Sequence, residues 1–477
     1  MAPLRIALVT VLLASASACA VGPNYHRPAV ATPPTFKEAD GWAPADPTDA
    51  ADRKDWWTVF GDPTLDALET QAAASNQTLA GAEAAYRAAA DLVKIDRAAL
   101  FPTISLTGSA TRSGGGNAVN SVNPSQGAGV GNGAYRVGVG GSWQPDLWGQ
   151  VRRTIEGARA SAQGSAATVA NTRLSVQIEL ALDYIQLRQL DEEKRILDET
   201  ARGYARSLAI TQNRYAVGVA AKSDVLSAQS QLATTRAGDV DLVQQRARME
   251  HAIAILAGKP PAALTLASAP WSLRLPDIPT ALPSDVLQRR PDIATAERSV
   301  AAANAQIGVA TAAWFPAVTL SASGDSAASS LARLFSASSN AWSLGASLAE
   351  TLLDFGARPA KVAQARALHD QSVANYRQTV LTAFGQVEDN LAAQRVLADE
   401  GVFKNSAADA AAANETITRN QYLAGQADYT AVVIAQATAL TARTAELQIE
   451  ATRLTTAVDL IAALGGGWRA ADIAPRR

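Results

Sequence analysis

The sequence predicts a mainly α-helical chain with a membrane β-barrel portion. It is built as two tandem copies of one unit, each a long α-helical coiled-coil hairpin joined to a pair of β-strands, four strands per chain. Three observations carry this. The composition is 48% hydrophobic but only 5% aromatic, with alanine making up most of the difference, as suits long helices packed closely side by side. One sequence pattern occurs twice in a constant register. Short segments in each copy alternate apolar and small polar residues with period 2.

The same arithmetic excludes much. The 477 residues carry 42 Lys+Arg against 44 Asp+Glu, a formal charge of -2, so nothing points to nucleic acid. One Cys rules out a disulfide framework and any Cys-built metal site. His26, His251 and His369 lie too far apart in sequence to suggest a zinc or general-base site, so packed or solvated histidines are expected. There is no H-E-x-x-H and no G-x-S-x-G. Gly218-Val-Ala-Ala-Lys222-Ser223 superficially resembles the end of a phosphate-binding loop but lacks its second glycine and spacing. No catalytic residue, metal or cofactor is expected, and the chain reads as a non-enzyme.

In chain order, residues 1–18 combine Arg5, an apolar run Ile6–Leu13 and the small-residue stretch Ala14–Ala18. That is the layout of a signal peptide, too short to span a bilayer permanently. Small residues before Cys19 resemble a bacterial lipobox, with Ala16 where a larger aliphatic is usual. Cleavage would make Cys19 the acylated first residue, carrying palmitate or a similar chain, and its two or three acyl chains would anchor the protein. Cleavage at another nearby bond, leaving an incidental thiol, is the alternative. Residues 19–60 are proline-rich and read as a lipid-anchored extended segment.

Repeat 1 is expected over 61–270 and repeat 2 over 271–465, with a tail at 466–477. Glu83 pairs with Glu297 and Phe101-Pro102 with Phe315-Pro316 at one offset. Beyond the strands, Trp148-Gly149 pairs with Phe355-Gly356, and Asn213, Tyr215, Gly218, Ala220 and Gln229 pair with Asn420, Tyr422, Gly425, Ala427 and Gln436 at a second offset. Chance does not hold a register this long. Each copy opens with an Ala-rich helix (about 64–99 and 284–312) that stops at its Phe-Pro pair. β-hairpins follow at 103–144 and 316–350. Ile104, Leu106, Gly108 and Ala110 alternate with Thr103, Ser105, Thr107 and Ser109; Trp342, Leu344, Ala346 and Leu348 alternate with Ser343, Gly345 and Ser347. This resembles outer-membrane barrel strands, although a sheet with one wet face alternates in the same way. Trp143, Trp148 and Trp342 near the strand ends suit membrane-interface aromatics, with plain core packing as the alternative.

Long helical hairpins follow at 150–256 and 357–464. An uninterrupted run of about 64 residues makes a helix of roughly 95 Å, which implies coiled-coil packing. Four strands cannot close a barrel alone, and open edges in lipid would leave backbone groups unpaired. The chain must therefore oligomerise; a dimer would bring eight strands and a trimer twelve.

Several segments together resemble the outer-membrane efflux channels of the TolC/OprM/NodT type, lipoprotein branch. They are Cys19-Ala-Val-Gly-Pro-Asn-Tyr-His-Arg-Pro28, Trp56-Trp57 with Phe60-Gly-Asp-Pro63-Thr-Leu65, Trp143-Gln-Pro-Asp-Leu-Trp-Gly149, Leu287-Gln-Arg-Arg-Pro-Asp-Ile293 and the two Tyr-x-x-Gly turns. The resemblance implies a homotrimer with a twelve-stranded barrel and a twelve-helix periplasmic tunnel. It implies the outer membrane of a Gram-negative bacterium, a periplasmic membrane-fusion (adaptor) protein, an inner-membrane pump of the RND type, and passive efflux of drugs or other small toxic compounds. It places adaptor docking at Tyr215, Gly218, Lys222 and Ser223 of the first helix tip and at Tyr422, Gly425 and Tyr429 of the second. It places the gate at Asp428 and Asp224. A carboxylate ring at a constriction would favour cations, but either aspartate also suits simple helix capping. A type I protein-secretion duct, or a lipid-anchored coiled-coil scaffold without a pore, are the competing readings.

Overall fold

The computed structural model describes residues 20–38, 55–113, 132–276, 286 and 289–468. A 3-10 turn at Trp56–Phe60 leads into α1 (Pro63–Ser75) and α2 (Gln77–Ala98). Strands β1 (Thr103–Ser113) and β2 (Asn132–Trp143) precede α3 (Gln150–Ala216) and α4 (Lys222–Leu256). The order then repeats as α5 (Pro291–Ala312), β3 (Ala317–Ala328), β4 (Asn340–Ala349), α6 (Ala357–Leu423) and α7 (Tyr429–Ala463). The paired long helices α3 and α6 have 67 residues each, and α4 and α7 have 35 each. Equal lengths in both copies fit the register read from the sequence.

Contacts divide the chain into two units, residues 1–28, 87–163 and 297–374 in one and 29–86, 164–296 and 375–477 in the other. The first holds a four-stranded antiparallel sheet in the order β1-β2-β3-β4. It also seats the N-terminal segment. Val21 donates its N–H to the Trp148 carbonyl. Arg153, itself buried, donates to the carbonyls of Val21 and Gly22 and to Asn24 Oδ1, and Asn304 donates to the Pro23 carbonyl.

The second unit centres on Trp56, Trp57 and Phe60, packed with Leu65, Leu68, Leu180, Tyr184, Ile253, Leu454 and Val458. This corrects the extended reading of the segment ending at 60. Its last residues form a buried turn, because two Trp and a Phe within five positions carry more apolar area than a surface strap can leave in water. Two further corrections concern the opening helices. The first is broken at Asn76, whose side chain accepts from Leu79 N–H and donates to the Leu256 carbonyl. The second is broken at Arg290: residues 286 and 289 before it are helical, Arg290 Nη1 donates to the Ala463 carbonyl, and α5 opens at Pro291, where proline suits a helix's first position. Asn76 and Arg290 are thus repeat equivalents doing one job with different chemistry, each tying a helix break to the end of a return helix. Gly258 and Gly465, with φ of 70° and 100°, close the same two junctions. A Cβ on either would collide with backbone, of Ser75 and Arg289 respectively, so glycine is required twice.

Glu69 lies on the buried stripe of α1 and is 0% exposed, and neither carboxyl oxygen has a hydrogen-bond partner. Burial pushes its pKa up to about 9, so the folded chain holds it neutral. The unfolded chain ionises it in the ordinary carboxylate range. Folded stability contributed around this group is therefore greatest below the unfolded pKa and falls as pH rises toward about 9. Glu69→Leu is expected to unfold at a higher temperature than the parent at pH 8, with the gap narrowing toward pH 5. Thermal unfolding of the detergent-solubilised protein followed by circular dichroism checks this; a gap independent of pH would refute it.

Candidate functional site: helix tips and sheet

Each long hairpin reverses through a glycine in the left-handed region, Gly218 at φ 76° and Gly425 at φ 75°. In the first tip Gly218 N–H bonds to the Tyr215 carbonyl and Val219 N–H to that of Arg214; in the second Gly425 bonds to Tyr422 and Gln426 to Gln421. This is the Schellman pattern, in which glycine at the position after the helix satisfies two otherwise unpaired carbonyls. Nothing crowds either glycine, so each turn is open to solvent.

The two tips differ in what they bury. Tyr422 is buried and meets Tyr429 edge-on, centroids 5.3 Å apart, in a small core with Ala228 and Val432. Burial pushes the Tyr429 phenol up to about 12, beside Thr211. Tyr215, the repeat equivalent of Tyr422, is 46% exposed. It stands with exposed Lys222, Ser223, Val217 and Val219 around the first turn. Arg214 bridges the two tips. Its guanidinium lies 4.6 Å from the Tyr422 ring centroid and donates to the Tyr422 carbonyl at 3.0 Å, neutralising the last carbonyls of α6 with a cation. The resemblance did not mark Arg214. Its signal was a cation one residue before a turn tyrosine, in a position where the second copy has Gln421.

Both aspartates cap helices. Asp428 is the N-cap of α7 and accepts from Ala431 N–H at 2.8 Å. Asp224 sits three residues beyond the cap position of α4 and accepts from Ala221 N–H at 3.3 Å. One accepted hydrogen bond leaves most of a carboxylate's lone pairs free, and Asp428 remains exposed.

In the sheet, cross-strand pairing places Ile104, Leu106, Val139, Leu320, Leu344 and Leu348 on one face. Ile104 is 78% and Leu344 75% exposed, an apolar surface with no cover. The opposite face carries Thr, Ser, Gly and Ala almost throughout. Aromatic residues mark both ends of the apolar face. Trp143 donates to the Leu100 carbonyl, and Trp148, stacked on Phe315 at 4.8 Å, donates to that of Pro316. Trp342 and Tyr135 stand toward the far ends. Trp143 and Tyr135 are eight residues apart on β2, about 26 Å along the strand, or roughly 20 Å of height at the tilt of a membrane barrel's strands. β1 and β4 are the sheet's edges, each with one neighbour.

Cys19 lies outside the described residues; its neighbour Ala20 packs on Gly149. No group of three or more His, Cys, Asp or Glu is placed to hold a metal, and no helix is long and apolar enough to cross a membrane, among the described residues.

Comparison with known proteins gives one consistent answer. The family model described as "Outer membrane efflux protein" matches residues 68–259 and 282–466. The pyoverdine export outer membrane protein OpmQ of Pseudomonas aeruginosa is 31% identical, over 88% of this chain and 89% of its own. The cation efflux system protein CusC of Escherichia coli is 28% identical, over 98% of this chain and 100% of its own. The solved structure of the outer-membrane channel OprN superposes with a TM-score of 0.85 at 30% identity, covering 94% of this chain and 100% of that one.

Two substitutions test the tip. Arg214→Ala removes a charged hydrogen bond worth about 1.5 kcal/mol, so amides of residues 420–426 are expected to exchange hydrogen roughly ten-fold faster, read by mass spectrometry. Tyr422→Phe removes only a buried hydroxyl with no partner and should leave that exchange unchanged or slower.

Proposed function

We propose that this chain works as the outer-membrane duct of a tripartite efflux pump, and the premise is plain: it belongs to the outer membrane efflux protein family. The observation that carries the proposal is the four-stranded sheet, apolar and exposed on one face, small and polar on the other, with both edges open. Lipid suits the first face and water the second. Three copies of four strands would close a twelve-stranded barrel with every edge paired.

The duct is passive. An inner-membrane pump supplies the energy and a periplasmic adaptor bridges to the helix tips, where Tyr215, Gly218, Lys222 and Ser223 of the first turn and Gly425 of the second lie exposed for docking. Tyr422 and Tyr429 serve the same site from beneath, by packing it. Asp428 keeps an exposed carboxylate at its turn and is the gate residue we favour; Asp224, held back against Ala221 N–H, is the weaker second. Cys19, one residue before the seated segment, carries the lipid anchor. Trp143, Trp148 and Trp342 lie at the membrane interfaces.

In planar bilayers the purified oligomer is expected to pass ion current, with Asp428→Asn lowering its preference for cations. An oligomer that carries none, in the parent and in Asp428→Asn alike, would defeat the duct. Cells fed labelled fatty acid should mark the parent chain and leave Cys19→Ser unlabelled; label on the serine form would refute the anchor.

A further inference from the structure

The polar face of the sheet carries two charges among its described side chains. Pairing places Thr103, Ser105, Thr107, Ser109 and Thr111 of β1 on that face, with the Ser, Thr, Gly and Ala positions of β2, β3 and β4. Only Arg136 and Asp325 break the pattern. They lie one step apart in the ladder: Gly138 pairs with Asp325, and Arg136 pairs with Ala327 and Ser109.

The two are held in opposite ways. The Asp325 carboxylate lies across Gly138, filling the space where a side chain at 138 would stand, and Gly138 is buried beneath it. Ser323 Oγ donates to Asp325 Oδ2 at 3.2 Å. The negative charge is therefore laid against the wall. Arg136 is exposed, has only small residues opposite it on both neighbouring strands, and makes no hydrogen bond or ion pair among the described residues.

We infer that Arg136 and Asp325 form a charge-selecting band on the inner wall of the barrel, in which Arg136 meets passing ions and Gly138 keeps the Asp325 carboxylate out of their way. The inference rests on the duct reading. Each copy of the chain contributes one charge of each sign, so the band is neutral in sum, and selectivity comes from reach alone. Repetition in a closed barrel makes each a ring, and a field falling over a Debye length of about 10 Å at 0.1 M salt covers much of a narrow passage. The band favours anions.

Chloride-to-potassium permeability ratios, from reversal potentials across planar bilayers with unequal KCl and the helix tips intact, test this. Arg136→Gln should lower the ratio about two-fold or more, and Arg136→Lys should hold it near the parent value. Gly138→Ala changes no charge, yet it should lower the ratio too, because the added methyl lifts the carboxylate off the wall. Asp325→Asn in the Gly138→Ala background should restore it. Currents of parent size with an unchanged ratio in Arg136→Gln and Gly138→Ala would overturn the band while leaving the duct standing. If the parent passes no current, the duct reading fails and takes the band with it. A variant that does not insert is replaced by the Gly138→Ala and Asp325→Asn pair, which leave the exposed guanidinium untouched.

Discussion

The backbone of a strand in hydrocarbon has nowhere to place an unpaired N–H or C=O except on another strand. Almost everything in this chain follows from that requirement. Four strands pair among themselves but leave β1 and β4 each open along one side, and a single copy cannot close the ring. The exposed apolar face, which would be a liability in water, is the face that lipid covers. Association is thus dictated by hydrogen bonding before any side chain is considered, and the helices inherit the symmetry that the strands need.

The fold was legible because its signals are long. Helices of 67 residues and alternation over ten or more positions leave patterns that no tertiary contact overrides, and the duplication lets each copy check the other. What the sequence hid are contacts between distant positions. Asn76 and Arg290 look unrelated, yet both cap the same junction; the shared role shows only when Leu256 and Ala463 are seen to present equivalent carbonyls. The Trp56–Phe60 turn sits in proline-rich surroundings whose composition pointed to an extended path, and burial overrode it.

At the tips the duplication is a poor guide, and its failure is informative. Equal turns, each closed by a glycine, are decorated unequally: a tyrosine buried in one copy is exposed in the other, and one copy's capping carboxylate stands at the N-cap while the other's lies three residues in. Backbone geometry was copied faithfully because glycine and carbonyl satisfaction demand it. Side chains carry no such demand, and here they differ between the copies. Arg214, which joins the two, is matched in the second copy by the uncharged Gln421, so the repeat does not point to it.

The grip on residues 20–25 has a consequence in time. Asn304 holds the Pro23 carbonyl across 281 positions of sequence, and Tyr25 reaches Glu297 across 272. Contacts of such separation form late, since the intervening chain must first be ordered. The first described residues of the chain would then be among the last to find their places, once both repeats are ordered.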